Sequence, residues 1–270
     1  MRIAARRWSF RTAVTLFLLL VGGVLSVSPA FADASGQPGG ITTQAHQMHD
    51  LYILVLVLAV VVFIAVEAAL LYCLAKFRHR PGAPLPPQTH GNNALEVLWT
   101  TIPIVLVLVL FVFSFVVLID VEKDGKDEDL TVDVQGFQFQ WEFTYKLNDL
   151  GRGGDKNATG EVSVIGTAKD EPTLVIPVNE PVEFKLHSND VIHSFYVRDF
   201  LYKLDVVPGR DNGFTVTARE TGDFEGQCAE LCGTDHAIMR FHLKVVERAE
   251  FDKYIAGLAA EQLKTAAAPR

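Results

Sequence analysis

The sequence predicts a membrane-anchored all-β protein: a two-helix transmembrane hairpin leading into a β-sandwich or Greek-key domain. Three observations carry this. The 270 residues are 49% hydrophobic, yet the long apolar runs all fall before residue 120. Two of those runs are long enough to cross a bilayer. After residue 120 the pattern changes to short alternating segments punctuated by Pro and Gly. Apolar content this high, with modest Gly and Pro, excludes disordered and fibrous classes. A net charge of −8, from 24 Lys and Arg against 32 Asp and Glu, speaks against a nucleic-acid partner, which would demand a basic surface.

Residues 1–32 have the layout of a cleaved secretory signal. Arg2, Arg6, Arg7 and Arg11 precede an apolar stretch from Ala13 to Val27, and Ala30-Phe31-Ala32 fits a small-x-small cleavage site. An uncleaved first anchor is the alternative. Cleavage after Ala32 removes four positive charges and leaves the mature chain at −12.

Residues 33–120 hold the N-terminal segment and the hairpin. The first span, residues 51–74, carries one charge, Glu67, and the second, residues 97–119, carries none. Each reaches roughly 35 Å as a helix, enough for a hydrocarbon core of about 30 Å. Lys76, Arg78 and Arg80 open the connecting loop, whereas Asp120, Glu122, Asp124, Asp127, Glu128 and Asp129 follow the second span. The positive-inside bias puts the loop in the cytoplasm and everything after residue 120 outside. Pro81, Pro84, Pro86 and Pro87 predict a stiff, extended loop. Glu67, costly at that depth, is expected to face protein, water or a partner subunit rather than lipid.

Residues 121–249 read as the exported β domain. Val132 and Val134 are followed by Phe137, Phe139, Trp141, Phe143 and Tyr145, which places five rings on one face of a single strand. Asn148 to Gly160 reads as a loop. Val182, Phe184 and Leu186, then Phe214, Val216 and Ala218, then Phe241, Leu243 and Val245 alternate with polar residues. Pro177, Pro181, Pro208-Gly209 and Gly222 mark turns. Residues 250–270 predict a short helix, to about Leu263, and a loose Ala-rich tail.

The chemistry concentrates in Cys228-x3-Cys232-x3-His236-x2-Met239, with His193 lying 35 residues before Cys228. Thiolate, imidazole and thioether together select copper over hard cations. One Cys with two His and a weak Met would describe a mononuclear blue-copper site. A second thiolate allows two copper ions to be bridged, each completed by one His, with Met239 and a carbonyl in the weak axial positions. Other readings stay open. Cys228 and Cys232 can form a disulfide in an exported domain, although that would require neither His236 nor Met239. Zinc accepts Cys2His2 but gains nothing from Met239. A nucleophilic Cys needs no second Cys four residues on. Covalent haem is excluded, since Cys-x-x-Cys-His is absent from the sequence. His187 and His242 read as structural or surface residues, and Cys73 as a packing residue within a span.

Over roughly residues 45–250 the sequence resembles subunit 2 of the haem-copper cytochrome c oxidases. The resemblance rests on Cys228-Ala-Glu-Leu-Cys232-Gly-x-x-His236-x-x-Met239, on His193-Ser194-Phe195, on Pro208-Gly209-Arg210, and on Glu96-x-x-Trp99-Thr100-x-x-Pro103. It implies a cupredoxin-like domain carrying the dinuclear copper A centre. The implied copper ligands are His193, Cys228, Cys232, His236, Met239 and the backbone carbonyl of Glu230. The Glu230 side chain would reach a magnesium ion at the border with subunit 1, and Glu96 would sit at the mouth of a proton-uptake path on the cytoplasmic side. The sequence departs from the family in one place. Gln138-Phe139-Gln140-Trp141 replaces Gln-Trp-x-Trp, so Phe139 stands where the family receives electrons and Trp141 keeps the second position. Core packing is the commoner use of such rings.

The implied function is a one-electron relay in a prokaryotic plasma membrane. Cytochrome c, or a similar haem donor, would dock on the outer side and reduce the copper pair. The electron would pass to haem in subunit 1, where oxygen becomes water with proton translocation; subunit 3 is a further expected partner. Acids such as Asp190 would steer a basic donor. This chain alone should reduce no oxygen. A nitrous-oxide reductase would share the copper motif but not the two spans, and a quinol oxidase subunit would lack the ligands. A membrane-anchored copper carrier or assembly factor is the main reading from a different class.

Overall fold

A computed structural model describes residues 39–79, 81–82, 88, 90–123, 130–150, 159–167 and 170–267, with side chains to residue 264. The expected signal at 1–32, most of the Pro-rich loop and all of the acids at 124–129 lie outside the described residues. Two compact units are present: residues 52–110, and residues 39–51 together with 111–270.

In the first unit the chain forms most of two long helices, α1 (Thr43–Lys76) and α2 (Asn93–Val121). Both are long and apolar enough to cross a membrane. They expose Val57, Phe63, Val97 and Val107 by half or more, as a lipid-facing surface requires. α2 starts on a cap of the capping-box type. Asn92 Oδ1 accepts from Leu95 N (3.2 Å), and Asn92 N donates back to Glu96 Oε1 (3.4 Å).

The second unit is a sandwich of two five-stranded sheets. Its strands are β1 (Leu130–Phe137), β2 (Gln140–Leu150), β3 (Glu161–Ile165), β4 (Thr173–Pro177), β5 (Pro181–Ser188), β6 (His193–Val197), β7 (Tyr202–Val206), β8 (Asn212–Thr217), β9 (Gly222–Cys228) and β10 (Arg240–Val246). The sheet orders are β3-β2-β1-β5-β8 and β4-β10-β9-β6-β7. Pairing is antiparallel except for β1 with β5 and β4 with β10. Period-two patterning explains the layers, because every second residue faces inward. Val182, Phe184 and Leu186 on one sheet meet Phe241, Leu243 and Val245 on the other, all buried. Rings bridge the sheets: Phe184 lies 5.4 Å from Phe195, and Phe143 lies 5.2 Å from Phe241.

The structure corrects three expectations. Phe137 and Phe139 do not share a strand with Trp141, Phe143 and Tyr145, because the chain reverses at Gln138-Phe139 and pairs Phe137 with Gln140. That two-residue turn contains no Gly, Pro or Asn, so it carries no turn signal. β2 continues through Asn148 to Leu150, where a loop was expected, because Leu150 pairs with Leu130 beyond a bulge. The C-terminal helix, α3 (Arg248–Ala267), runs past Leu263 into the expected tail as far as Ala267, since alanine is the best helix former. Phe251 and Ile255 anchor α3 in the core.

The segment before α1 is part of this unit. Thr42 bridges to Ala218, Arg219 N donates to Ile41 O (2.7 Å) and Ile41 N donates to Asp199 O (2.9 Å). Thr217 N donates to Gln44 Oε1 (3.2 Å), and Thr42 Oγ1 caps α1 by accepting from Ala45 N (3.0 Å).

Tyr145 ties β2 to β4. Its hydroxyl accepts from Val175 N (2.9 Å) and donates to Val175 O (3.0 Å), and burial pushes its pKa far above the ordinary phenol value. Removing it orphans two buried backbone groups. Tyr145→Phe should therefore destabilise the domain by about 1–3 kcal/mol, measured by denaturant unfolding of the full chain.

Candidate metal centre

Three chain reversals meet at one end of the sandwich: the Gln138-Phe139 turn, the connection from β5 to β6, and the loop from β9 to β10. His193 is the first residue of β6 and Cys228 the last of β9. The loop neck is closed by Cys228 N donating to Met239 O (2.9 Å) and Ala229 N donating to Ser194 O (3.0 Å). A strand-pinned loop of this kind holds its side chains in place before any ligand arrives.

Within this frame His193 Nδ1 lies 3.9 Å from Cys228 Sγ, and His236 Nδ1 lies 3.7 Å from Cys232 Sγ. The two sulfurs are 3.9 Å apart and both cysteines are free thiols. Met239 Sδ lies 3.8 Å from Cys232 Sγ, and Glu230 O lies 3.2 Å from Cys228 Sγ. Ligand atoms of His193, Cys228 and Cys232 all fall within 4.8 Å of one another, the one such group among the described residues. His193 is fully buried, and Cys228, Cys232 and Met239 are at most 5% exposed. His236 is half-buried, and Glu230 is exposed.

His193 Nε2 lies 2.9 Å from Asp190 Oδ1, so that nitrogen donates and Nδ1 is left with its lone pair toward the sulfurs. Burial opposes charge on every group here, but the pairings outweigh it at three of them. Cys228 is lowered by His193, by backbone hydrogen bonds at Glu230 and Ser194, and by His236. His193 is raised by Cys228 and Asp190. Asp190 is lowered by His193 and by the amides of Gln138 and Val191. Cys232 is raised, first by burial and then by the neighbouring Cys228 sulfur. Two adjacent thiolates repel each other, so full deprotonation of the pair needs a cation to offset them.

The remaining sequence candidates fall in different places. Trp141 has no exposed surface. It packs edge-on to His193 at 6.1 Å and donates to Met239 O (3.4 Å). Phe139 is partly buried in the turn. Gly136 lets both Trp141 and His193 press on β1, since a Cβ there would lie 3.1 and 3.2 Å from them. Asp190 accepts from His193 and from the Gln138 amide. His187 pairs with Asp133 and Asp211, and His242 with Glu171, all partly or fully exposed and away from the cluster. Sequence reasoning missed Gln138. The presence of a carboxylate three residues before His193 was the available signal for Asp190.

Sequence comparison matches two family profiles: "Cytochrome C oxidase subunit II, periplasmic domain" over residues 130–246, and "Cytochrome C oxidase subunit II, transmembrane domain" over residues 31–117. Cytochrome c oxidase subunit 2 of Corynebacterium glutamicum is 34% identical over 82% of this chain and 75% of that protein. This chain belongs to the cytochrome c oxidase subunit 2 family. The subunit 2 of Alkalihalophilus pseudofirmus is 39% identical over 81% of this chain and 60% of its own length. The chain thus spans less than two thirds of several subunit 2 relatives that it matches. Among solved structures, the periplasmic domain of subunit II of the Bradyrhizobium japonicum oxidase aligns at 32% identity over 50% of this chain and 97% of that one, with a TM-score of 0.42. Membership of the subunit 2 family accounts for the pair of membrane-capable helices and the β-sandwich that follows them.

Proposed function

We propose that this chain is the electron-accepting subunit of a terminal cytochrome c oxidase, and that the cluster holds the dinuclear copper A centre. One observation carries the reading: two free buried thiols stand side by side, each with its own imidazole, with a thioether and a carbonyl at the flanks. The donor set fits the group. Soft sulfur and imidazole donors suit copper, and the thioether adds nothing to a zinc site. His193, Cys228, Cys232, His236, Met239 and the Glu230 carbonyl would be the ligands. Bound there, copper supplies one-electron chemistry that no side chain of the cluster offers.

The chain's own residues supply the rest. Asp190 fixes the orientation of His193, and Trp141, itself packed on Phe195, lies edge-on against the buried imidazole. The closed loop neck keeps the donors still, which lowers the rearrangement needed for each electron. The partly buried ring of Phe139 would lie where a haem donor such as cytochrome c delivers electrons, with Trp141 behind it in the core. Leu231, Ile238 and Ile192 expose apolar surface around the loop, in keeping with a protein partner there. That partner would be the haem-bearing subunit 1, where oxygen is reduced and protons are moved, with subunit 3 further along the assembly. The exposed Glu230 side chain would complete a magnesium site against subunit 1. Glu96 would deliver protons from the cytoplasmic side in addition to its capping role. The domain would lie on the outer side of a prokaryotic plasma membrane, behind a cleaved signal at 1–32.

A copper carrier is the second reading, and the depth of the two thiols disfavours it, since a carrier needs an open site. Reconstitution of the full-length chain in detergent with copper separates the two. The expected result is a tightly held pair of coppers whose unpaired electron couples equally to both nuclei. A single blue copper, or copper lost at once to a weak chelator, would overturn the proposal.

A further inference from the structure

Gln138 sits in the tight turn between β1 and β2, outside the proposed ligand set, and it touches both halves of that set. Its side-chain Nε2 donates to Cys232 O at 2.6 Å. Its backbone N donates to Asp190 Oδ2 at 2.6 Å. The other oxygen of that carboxylate accepts from His193 Nε2 at 2.9 Å and from Val191 N at 2.6 Å. The chain of bonds therefore runs from the Cys232 backbone, through Gln138 and Asp190, to the His193 ring. It joins the loop between β9 and β10 to the connection before β6, through Cys232 and Asp190, 42 positions apart in sequence.

The neighbouring packing leaves little freedom. Gly233, next to Cys232, has φ +141°, and a Cβ there would lie 2.8 Å from the Phe139 ring and 3.0 Å from Gln138 Nε2. The turn thus presses on the Cys232-Gly233 backbone with an amide and a ring together. Cys232 has no strand of its own to hold it, whereas Cys228 is the last residue of β9. Without the Gln138 amide, the Cys232 carbonyl would lose the one side-chain donor that the described residues give it.

We propose that Gln138 is a positioning residue. It clasps the Cys232 arm of the metal loop and, through Asp190, sets that arm against His193, so that the two sulfurs stay in register before metal arrives. This rests on the copper reading only for its metal arm. A hydrogen bond to the backbone of one ligand and, through a carboxylate, to the ring of another is the outer-shell arrangement that tunes metal sites.

The test uses the full-length chain and two variants at this exposed turn position. Gln138→Met keeps the volume and removes the donor. Gln138→Glu keeps the length and sets an acceptor against a carbonyl. In the metal-free protein, amide hydrogen exchange across residues 229–238 should accelerate about tenfold in both variants, the loss expected for one hydrogen bond, while exchange in β5 and β8 stays unchanged. Asp190→Ala should accelerate the same loop. Combined with Gln138→Met it should add no more than the larger single effect, because the two act in one chain of bonds. After copper loading, transfer to a competing chelator should rise by roughly 10–100-fold, and the coupling of the unpaired electron to the two nuclei should become unequal. Wild-type exchange in both Gln138 variants would overturn the proposal, as would fully additive effects of the Gln138 and Asp190 changes. If the wild-type chain takes up no copper pair, the functional reading fails, while the exchange measurements still decide the role of Gln138.

Discussion

Replacing Cys228 by serine should abolish the copper pair. A serine oxygen is a poor bridge between soft ions, and Cys228 is buried 3.9 Å from Cys232 Sγ. Metal analysis of the reconstituted full-length variant should find at most a single copper, and electron paramagnetic resonance should show coupling to one nucleus only. Affinity for what remains should fall by more than the roughly 10–100-fold of an outer-shell change, because a ligand itself is gone. The fold should survive, since Cys228 N and its bond to Met239 O belong to the backbone. A Cys228→Ser protein that still binds a coupled pair would show that the two sulfurs do not act together.

Truncating Trp141 should have the largest effect on stability. The indole is fully buried, touches Phe195 at 5.9 Å and Phe241 at 5.7 Å, and forms the wall behind His193 at 6.1 Å. Trp141→Ala should cost about 3–5 kcal/mol from lost transfer energy and the cavity left behind. For a domain of this size that corresponds to a fall in melting temperature of roughly 10 °C or more. Copper binding should weaken in parallel, because the His193 ring gains room to turn. Trp141→Phe should recover most of both. If Trp141→Ala melts like the wild type, the aromatic bridge between the sheets is not what holds them together.

The features that were legible in the sequence are those with a repeating or additive signal. Two apolar runs announced the long helices, and inward alternation at Val182, Phe184 and Leu186 and at Phe241, Leu243 and Val245 announced the strands of a sandwich. The Cys-x3-Cys-x3-His-x2-Met spacing marked the loop, because those residue types together select so few uses. His193 could be added by residue type and family likeness, though the distance between it and Cys228 is set only by tertiary pairing of β6 with β9.

What stayed hidden depended on contacts between distant segments. The reversal at Gln138-Phe139 has no glycine or proline to mark it, and the neighbouring aromatics supply a strand pattern straight through it. Gln138 looks like any polar turn residue until Asp190 and Cys232 come up on either side. Leu150 reads as loop composition, yet it pairs with Leu130. The alanines near the end of α3 have the composition of a loose tail, although helix propensity favours the continued helix once Phe251 and Ile255 dock.

The stretch around Ile41 and Thr42 also bears on how this chain can be cut. A soluble fragment that begins after α2 would discard the partners of the Ala218 and Arg219 backbones and strip the cover from that border of the sandwich. Grafting residues 39–47 back through a flexible tether, joined ahead of residue 130, would restore the missing edge and is the sounder starting point for a water-soluble version.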